Sequence, residues 1–470
     1  MSLRTSAAYV AVRIASGALA MVTLALVVRC LGPEGYGQLT LGLALSAAVT
    51  LVLFNPLNAT LARFYGEAGR REALVRVLRR ALLAIGGGLL ALALVLELAG
   101  LALFAGGLLL SAGCMALAQG MFDFSGQYLA ASGQSRSYSL QFVGKALASL
   151  LLCALVLHLG GGAVPVMLAM AAAFALAALF AGNVWRRHRV PVEMADALPR
   201  GELLRFGGPL LLTSLLGYLL LWGDRYLLEH LVPLAELGRY SALMDLAQQT
   251  LGLIFSGLCT AWYPRLVLAW GAEDRVEAQR LYERYAALGL AVCLPAGLGF
   301  ALLLPEILPL LYGEAYTRIS PVLPALVTAT AVVAGIKAYY LDQALLLGKR
   351  VWWHTASIAL AASAGLWLAA LLIPLMGISG AALGLLLGQL LACGLSLWAG
   401  RGVLRRRCAS SLCWPPVLGC VLMVAWLLAW PAGGWPALLA RMLIGALIYG
   451  GVMWLADFDG VRARFARRFR

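Results

Sequence analysis

Leu31-Gly-Pro-Glu-Gly-Tyr-Gly37 is a short turn between two long apolar runs, and it returns two hundred residues later as Leu231-Val-Pro-Leu-Ala-Glu-Leu-Gly238. In the first copy Leu31-x-Pro33 leads to Gly37, an apolar segment follows, and the chain emerges at Ala62-Arg63. In the second, Leu231-x-Pro233 leads to Gly238, and after another apolar segment the chain emerges at Pro264-Arg265. The step from glycine to arginine is 26 residues in one copy and 27 in the other. A shared turn, span and basic exit at matching offsets predict two related halves, and internal repetition of this kind is a signature of membrane transporters.

The composition around these turns belongs to a membrane protein. Of 470 residues, 62% are hydrophobic and 12% charged, where a soluble domain is about half apolar. The relevant count is therefore of spans, each needing about 20 apolar residues to cross a core about 30 Å thick. Fourteen runs qualify, at 6–30, 38–60, 81–100, 107–130, 138–159, 164–184, 207–228, 238–261, 285–304, 321–341, 353–373, 377–399, 416–430 and 436–456. The run from Ser6 is longer than a signal-peptide core and flows into the repeated turn, so it reads as a retained first helix. The expected architecture is an all-α polytopic membrane protein of about fourteen transmembrane helices. An amino-terminal lobe over 1–200 and a carboxy-terminal lobe over 201–400 carry six helices each, related by a pseudo-two-fold repeat; residues 401–470 add two helices and a basic tail.

The cations give the expected orientation. The amino terminus, every even-to-odd loop and the tail together hold 28 of the 36 Lys and Arg residues, and the odd-to-even loops hold Arg318 alone. Arg13, Arg29, Lys145, Arg225, Arg239, Lys337 and Arg441 lie within spans or at their edges. Because cytoplasmic loops carry the excess of Lys and Arg, both termini are expected in the cytoplasm. This placement, alternating with the spans, also accounts for the net charge of +15 without nucleic acid. The clusters Arg63 to Arg80, Arg186-Arg-His-Arg189, Arg401 to Arg407 and Arg462 to Arg470 read as topology signals in contact with anionic lipid, or as docking surfaces for a phosphorylated lipid or a cytoplasmic partner. The longest outward loop, Pro305 to Ser320, is expected to hold only a short interfacial helix.

Together these motifs resemble a family. Leu31-Gly-Pro-Glu-Gly-Tyr-Gly37, the Arg63-Phe-Tyr exit, Asp224-Arg225-Tyr226 closing the seventh run, Leu311-Tyr-Gly-Glu-Ala-Tyr316 before the tenth and Gly377-Ile-Ser-Gly-Ala-Ala382 opening the twelfth occur in matching order in the polysaccharide transporter family. That family includes the Wzx-type O-antigen flippases and belongs to the multidrug/oligosaccharidyl-lipid/polysaccharide exporter superfamily. The resemblance implies two six-helix lobes around a central cavity, with alternating access. It also implies an undecaprenyl-diphosphate-linked glycan as cargo, carried to the periplasmic leaflet of a bacterial inner membrane for surface polysaccharide, O-antigen or exopolysaccharide synthesis. Membrane lipids, a polysaccharide polymerase and glycosyltransferases are the implied partners.

Shielding a diphosphate and sugars from hydrocarbon calls for polar and cationic groups facing a wet interior, so charges inside spans come first. Ser6, Tyr9, Arg13, Ser16 and Thr23 share one face of the first run, and Arg13 reads either as a phosphate contact or as a snorkelling side chain. Asp123 and Lys145 each lie eleven positions from the hairpin centre at Gln134, which puts them at one depth on antiparallel neighbours. They are expected to pair, with Gln119, Gln127 and Gln141 extending the polar surface. Asp224 and Arg225 are expected to pair with Arg239 or Asp245, within a structural network or in substrate handling. Ser241, Asp245, Gln248, Gly252 and Ser256 form a polar side of the eighth run. Lys337, close to Asp342, reads as a phosphate contact or a snorkelling lysine.

Enzyme chemistry finds no support in the motifs. His158, His188, His230 and His354 are scattered without metal-ligand spacing, the nine cysteines form no CxxC pair, and neither a P-loop nor a Gly-x-Ser-x-Gly element is present. A transporter without an intrinsic ATPase, cofactor or metal is expected, driven by a proton or sodium gradient or by the substrate's own gradient. Four alternatives stay open: a peptidoglycan-precursor flippase of the same fold, an ion-coupled drug exporter, a membrane polysaccharide polymerase or ligase, and a transport-dead scaffold for glycosyltransferases using the cytoplasmic basic loops.

Overall fold

The computed structural model describes residues 3–66, 71–100, 107–180, 182–185, 200–404, 410–430, 433–460 and 462, and among these it is helical with no strand. Ten stretches are long and apolar enough to cross a membrane: Ala15–Phe64, Arg71–Leu98, Leu108–Ala131, Ser135–His158, Leu234–Gly271, Arg275–Tyr312, Leu323–Leu347, Val351–Met376, Ile378–Gly400 and Gly434–Leu455. The shorter apolar helices Ala163–Leu179 and Trp414–Ala429 and the helix Arg200–Leu231 join them. With Ala15–Phe64 divided at its kink, a helix stands at each of the fourteen expected positions. The chain is a multi-pass membrane protein, and the spans are numbered below in that order.

The turn at Leu31–Gly37 is tighter than expected. Helix runs from Leu3 to Ala48 with one break, at Gly32, whose φ of 69° and ψ of 177° no helical residue adopts. A left-handed φ strains residues with a Cβ, and Pro33 then supplies a φ preset for the next helix. In the second copy Pro233 occupies the equivalent place before the helix Leu234–Gly271. The two turns touch: a Cβ on Gly37 would meet the Leu234 carbonyl, and one on Gly238 would meet the Pro33 carbonyl. The repeated glycines thus allow main chain to lie on main chain. The two exit arginines are alike as well, Arg63 standing over the Phe64 ring at 5.5 Å and Arg265 over Trp262 at 5.6 Å.

Several helices overrun the apolar windows that announced them. The third span starts at Arg71 and the ninth at Arg275, so both basic segments are helical extensions of their spans. Pro305 does not open a loop as expected. The ninth span continues through Pro305 and Pro309 to Tyr312, and a short 3₁₀ turn, Glu314–Tyr316, follows. A proline removes one backbone donor and kinks a helix, a defect that apolar helices inside a packed bundle absorb.

Two compact units are formed, Met1–Ser241 and Ala242–Arg470. In the first, Phe54, Leu61, Leu74, Leu78, Leu82, Phe124 and Val184 make a core at one end of the helices, while Leu151 is 66% exposed in the pattern of a lipid-facing surface. In the second, Leu303, Met423, Leu427 and Leu438 hold the last two spans to the ninth. The eleventh and twelfth spans pack closest. Gly380, Gly384 and Gly388 repeat every fourth residue, and a Cβ on Gly388 would stand 2.8 Å from the Ala361 carbonyl oxygen. Small residues at that spacing let helix backbones meet where no hydrophobic effect drives association.

Candidate functional site

In the first unit a cavity of about 280 Å³ opens among the second, fourth and fifth spans. The second span reaches it through a π-helical turn, Val49–Phe54, which brings Thr50 and Leu51 to the wall. The helix Asn55–Phe64 adds Asn55 and Asn58. Gln119, Asp123 and Gln127 recur every four residues on the fourth span, so one helix face supplies two amides and a carboxylate. Tyr138 and Phe142 close the far side with their rings 4.5 Å apart. Oδ1 of Asn58 is buried without a hydrogen-bond partner, and Nδ2 of Asn55 donates to Ser214 at 3.3 Å. No Lys or Arg lines this cavity among the described residues. Its chemistry is that of neutral hydrogen-bonding groups, one carboxylate and aromatic faces.

Lys145 is near but turned away. Its ammonium sits 4.4 Å from the centre of the Phe174 ring on the sixth span, and it meets Asp123 through the electrostatic field without a direct ion pair of 4 Å or less. The expected Asp123–Lys145 salt bridge is thus replaced by proximity. Equal offset from the hairpin fixes depth, but rotation at about 100° per residue decides which neighbour a side chain faces. Gln141 also departs from expectation: it is buried, donating to Phe122 O at 3.1 Å and to Ser125 at 2.5 Å.

Asp224, Arg225 and Arg239 of the first unit are engaged by near neighbours. Asp224 is 3% exposed and accepts the Tyr240 hydroxyl at 2.6 Å, bridging the seventh and eighth spans. Arg225 lies over Trp222, 4.0 Å from the ring centre. Arg239 approaches Glu236 one turn earlier at 4.0 Å. Thr23 donates to Leu19 O at 2.8 Å within its own helix, Ser16 Oγ is buried without a partner, and Arg29 is exposed. The side chain of Arg13 lies outside the described residues, as do Arg186 to Arg189, Arg405 to Arg407 and the tail beyond Arg462.

In the second unit Asp245 and Gln248 are half-buried on the eighth span, and Asp245 lies within electrostatic reach of the buried Tyr312. Lys337 neither snorkels nor faces an open cavity. It is 3% exposed, and its ammonium donates to Asp342 Oδ2 at 2.8 Å. Ser396 donates to Asp342 Oδ1 at 2.7 Å, and His354 Nδ1 stands 3.5 Å from Oδ2. Sequence spacing gave no sign that the tenth, eleventh and twelfth spans would meet on one carboxylate.

A second group escaped the sequence reading. Arg441 on the last span binds both carboxylate oxygens of Glu306 and the Leu427 carbonyl, at 4% exposure. Beside it an apolar cavity of about 380 Å³ lies among Leu251, Phe300, Leu303, Met423, Met442 and Tyr449. Among the described residues no cluster of three or more His, Cys, Asp or Glu suits a metal ion.

Comparison with known proteins agrees with this architecture. A family model described as polysaccharide biosynthesis protein matches residues 2–270. A structure of the lipid II flippase MurJ in an inward closed conformation superposes with a TM-score of 0.75 at 13% identity, covering 98% of this chain and 100% of that one. An inward-facing multidrug resistance MATE family transporter of the MOP superfamily gives 0.63 at 15% identity, over 82% of this chain and 94% of that one. A MOP superfamily transporter from Pyrococcus furiosus, described as having a binding pocket of reversed polarity, gives 0.55 at 16% identity, over 85% and 92%. Comparison with curated protein sequences finds no match. At these identities the likeness is of fold: the chain has the helical fold of the MOP-superfamily transporters and flippases.

Proposed function

The chain belongs to the polysaccharide biosynthesis protein family, and on that premise we propose that it moves an undecaprenyl-diphosphate-linked oligosaccharide from the cytoplasmic to the periplasmic leaflet of a bacterial inner membrane. The movement is by alternating access, both termini lie in the cytoplasm, and no covalent step is involved. The observation that carries this reading is the cavity around Asp123. Amides, a carboxylate and two aromatic rings are what sugar hydroxyls and ring faces bind. The apolar cavity beside Tyr449 supports the same cargo, because a prenyl chain needs an apolar surface. The flipped product is handed to a polysaccharide polymerase, after glycosyltransferases have built it on the cytoplasmic side.

The likeness to the lipid II flippase favours a second cargo of the same chemistry, a peptidoglycan precursor. One experiment separates the two. The gene is deleted in its host, and lipid-linked oligosaccharide is extracted and tested for accessibility on each membrane face. Accumulation on the cytoplasmic face with normal growth is expected. Lysis with accumulated peptidoglycan precursor would establish the second cargo, and oligosaccharide accumulating on the periplasmic face would overturn flipping in favour of polymerisation or ligation.

A further inference from the structure

The tenth span is not α-helical throughout. Between the helices Leu323–Ile336 and Asp342–Leu347 it contains a π-turn, Lys337–Leu341, closed by the Asp342 amide donating to the Lys337 carbonyl. The ion pair Lys337–Asp342 spans the same five residues. In an α-helix five residues place two side chains about 140° apart, whereas the i to i+5 pattern of a π-turn brings them one above the other. Salt bridge and π-turn therefore stabilise each other. The carbonyls that the turn leaves over are also provided for. Ala338 O accepts from Gln343 at 3.0 Å, Tyr339 O from Tyr285 at 2.5 Å and Tyr340 O from Tyr282 at 3.4 Å. A widened turn with this many dedicated partners is a built feature of the span.

The assembly also contains a histidine, the residue type that takes up a proton in the physiological range. His354 Nδ1 is buried and stands 3.5 Å from the carboxylate oxygen that Lys337 already holds. The remaining groups packed around it are engaged elsewhere or exposed. Arg350 donates to the Ala399 carbonyl, Tyr282 and Tyr285 donate to the turn, Ser396 donates to Asp342, Cys393 faces the Val333 carbonyl at 3.9 Å, and Lys349 and Arg401 are exposed. With His354 neutral, the charges of Lys337 and Asp342 cancel. A proton on His354 places a second cation on the same carboxylate, in a site where Lys337 is 3% exposed.

We propose that His354 and Asp342 form a proton-binding site whose occupation releases Lys337 and unlocks the π-turn of the tenth span. A proton shifts a two-state element only by its differential affinity for the two states, and here that difference is the contest between His354 and Lys337 for one carboxylate. Return of the π-turn to α-helix rotates the following residues by about 100° and advances them by about 1.5 Å, a discrete movement in a packed bundle. A role in driving transport rests on the function proposed above. The site itself does not, and its test needs no cargo.

The test is amide hydrogen exchange on the full chain in lipid nanodiscs, read as protection of the segment 337–347 at pH about 8 and about 5.5, the range in which histidine titrates. Protection is expected to fall about tenfold at the lower pH through opening of the turn. His354→Gln should keep high protection at both values, and Asp342→Asn should show low protection at both. Should Asp342→Asn fail to fold, Lys337→Met removes the competitor and should abolish the pH step. The π-turn at Val49–Phe54, whose six residues include no titratable side chain, is the internal control. Equal protection of the wild type at both pH values would overturn the proposal. So would a step that survives in His354→Gln, or an equal step at Val49–Phe54.

Discussion

Replacing Gly238 by alanine tests whether the repeated turns are pressed together by design. The new Cβ would lie 1.7 Å from the Pro33 carbonyl oxygen, 2.7 Å from its carbon and 2.9 Å from the Gly37 nitrogen, where real Cβ atoms essentially never come within 3.0 Å of a neighbour. Relief requires a shift of 1.3 Å, the difference between 3.0 and 1.7 Å, and all three obstructing atoms are main chain, so no rotamer change supplies it. Overpacking a core with side chains that can yield costs about 1–3 kcal/mol, so this substitution should cost about 3 kcal/mol or more. Gly252→Ala on the same helix is the control, because nothing stands within 4 Å of its added Cβ. Alanine there should stabilise by up to about 1 kcal/mol through helix propensity. Thermal unfolding of the purified protein in detergent, followed by tryptophan fluorescence, should show Gly238→Ala melting several degrees below the wild type and Gly252→Ala at or above it. A Gly238→Ala protein melting within about a degree of the wild type would refute the argument that close main-chain approach explains the glycine.

Three further outcomes follow from the sites. The Glu306–Arg441 pair should be asymmetric: Glu306→Leu leaves an arginine of 5% side-chain exposure uncompensated and should cost about 3–5 kcal/mol, while Arg441→Met leaves a carboxylate of 30% exposure that water can reach and should cost less. The double variant should recover most of the loss in the same melting assay, and the reverse order of the single variants would contradict the burial argument. Asp123→Asn and Asn58→Leu, both in the cavity wall, should each lower flipping in reconstituted vesicles about tenfold, the worth of one hydrogen bond lost to a buried polar ligand. Lys145→Met should lower it far less, since its ammonium stands on Phe174, and a loss equal to that of Asp123→Asn would return Lys145 to the cargo site.

The fourteen span positions, the repeated turn and the family were legible in the order of residues alone. Each is a one-dimensional property: window hydropathy, the step of 26 or 27 residues from glycine to arginine, and five short motifs in series. Depth was legible for the same reason, and Asp123 and Lys145 do come near one another as counting from Gln134 implied. The direction each side chain faces was not. It depends on how helices are rotated against their neighbours, which is why Lys145 meets Phe174 and why Gln141 turns into the hairpin instead of the cavity.

The π-turns at Val49–Phe54 and Lys337–Leu341 leave no mark in hydropathy, yet each resets the helical phase of everything after it. Contacts across long separations were invisible as well. Arg441 and Glu306 are 135 residues apart, and Asp342 and Ser396 are 54 apart. The sequence by itself determined that this chain enters a bilayer repeatedly, because covering about 20 residues of backbone with hydrocarbon is a demand that each segment meets alone. Only the tertiary structure decided which charges face a cavity and which neutralise one another, because that choice belongs to pairs of helices and to no single one.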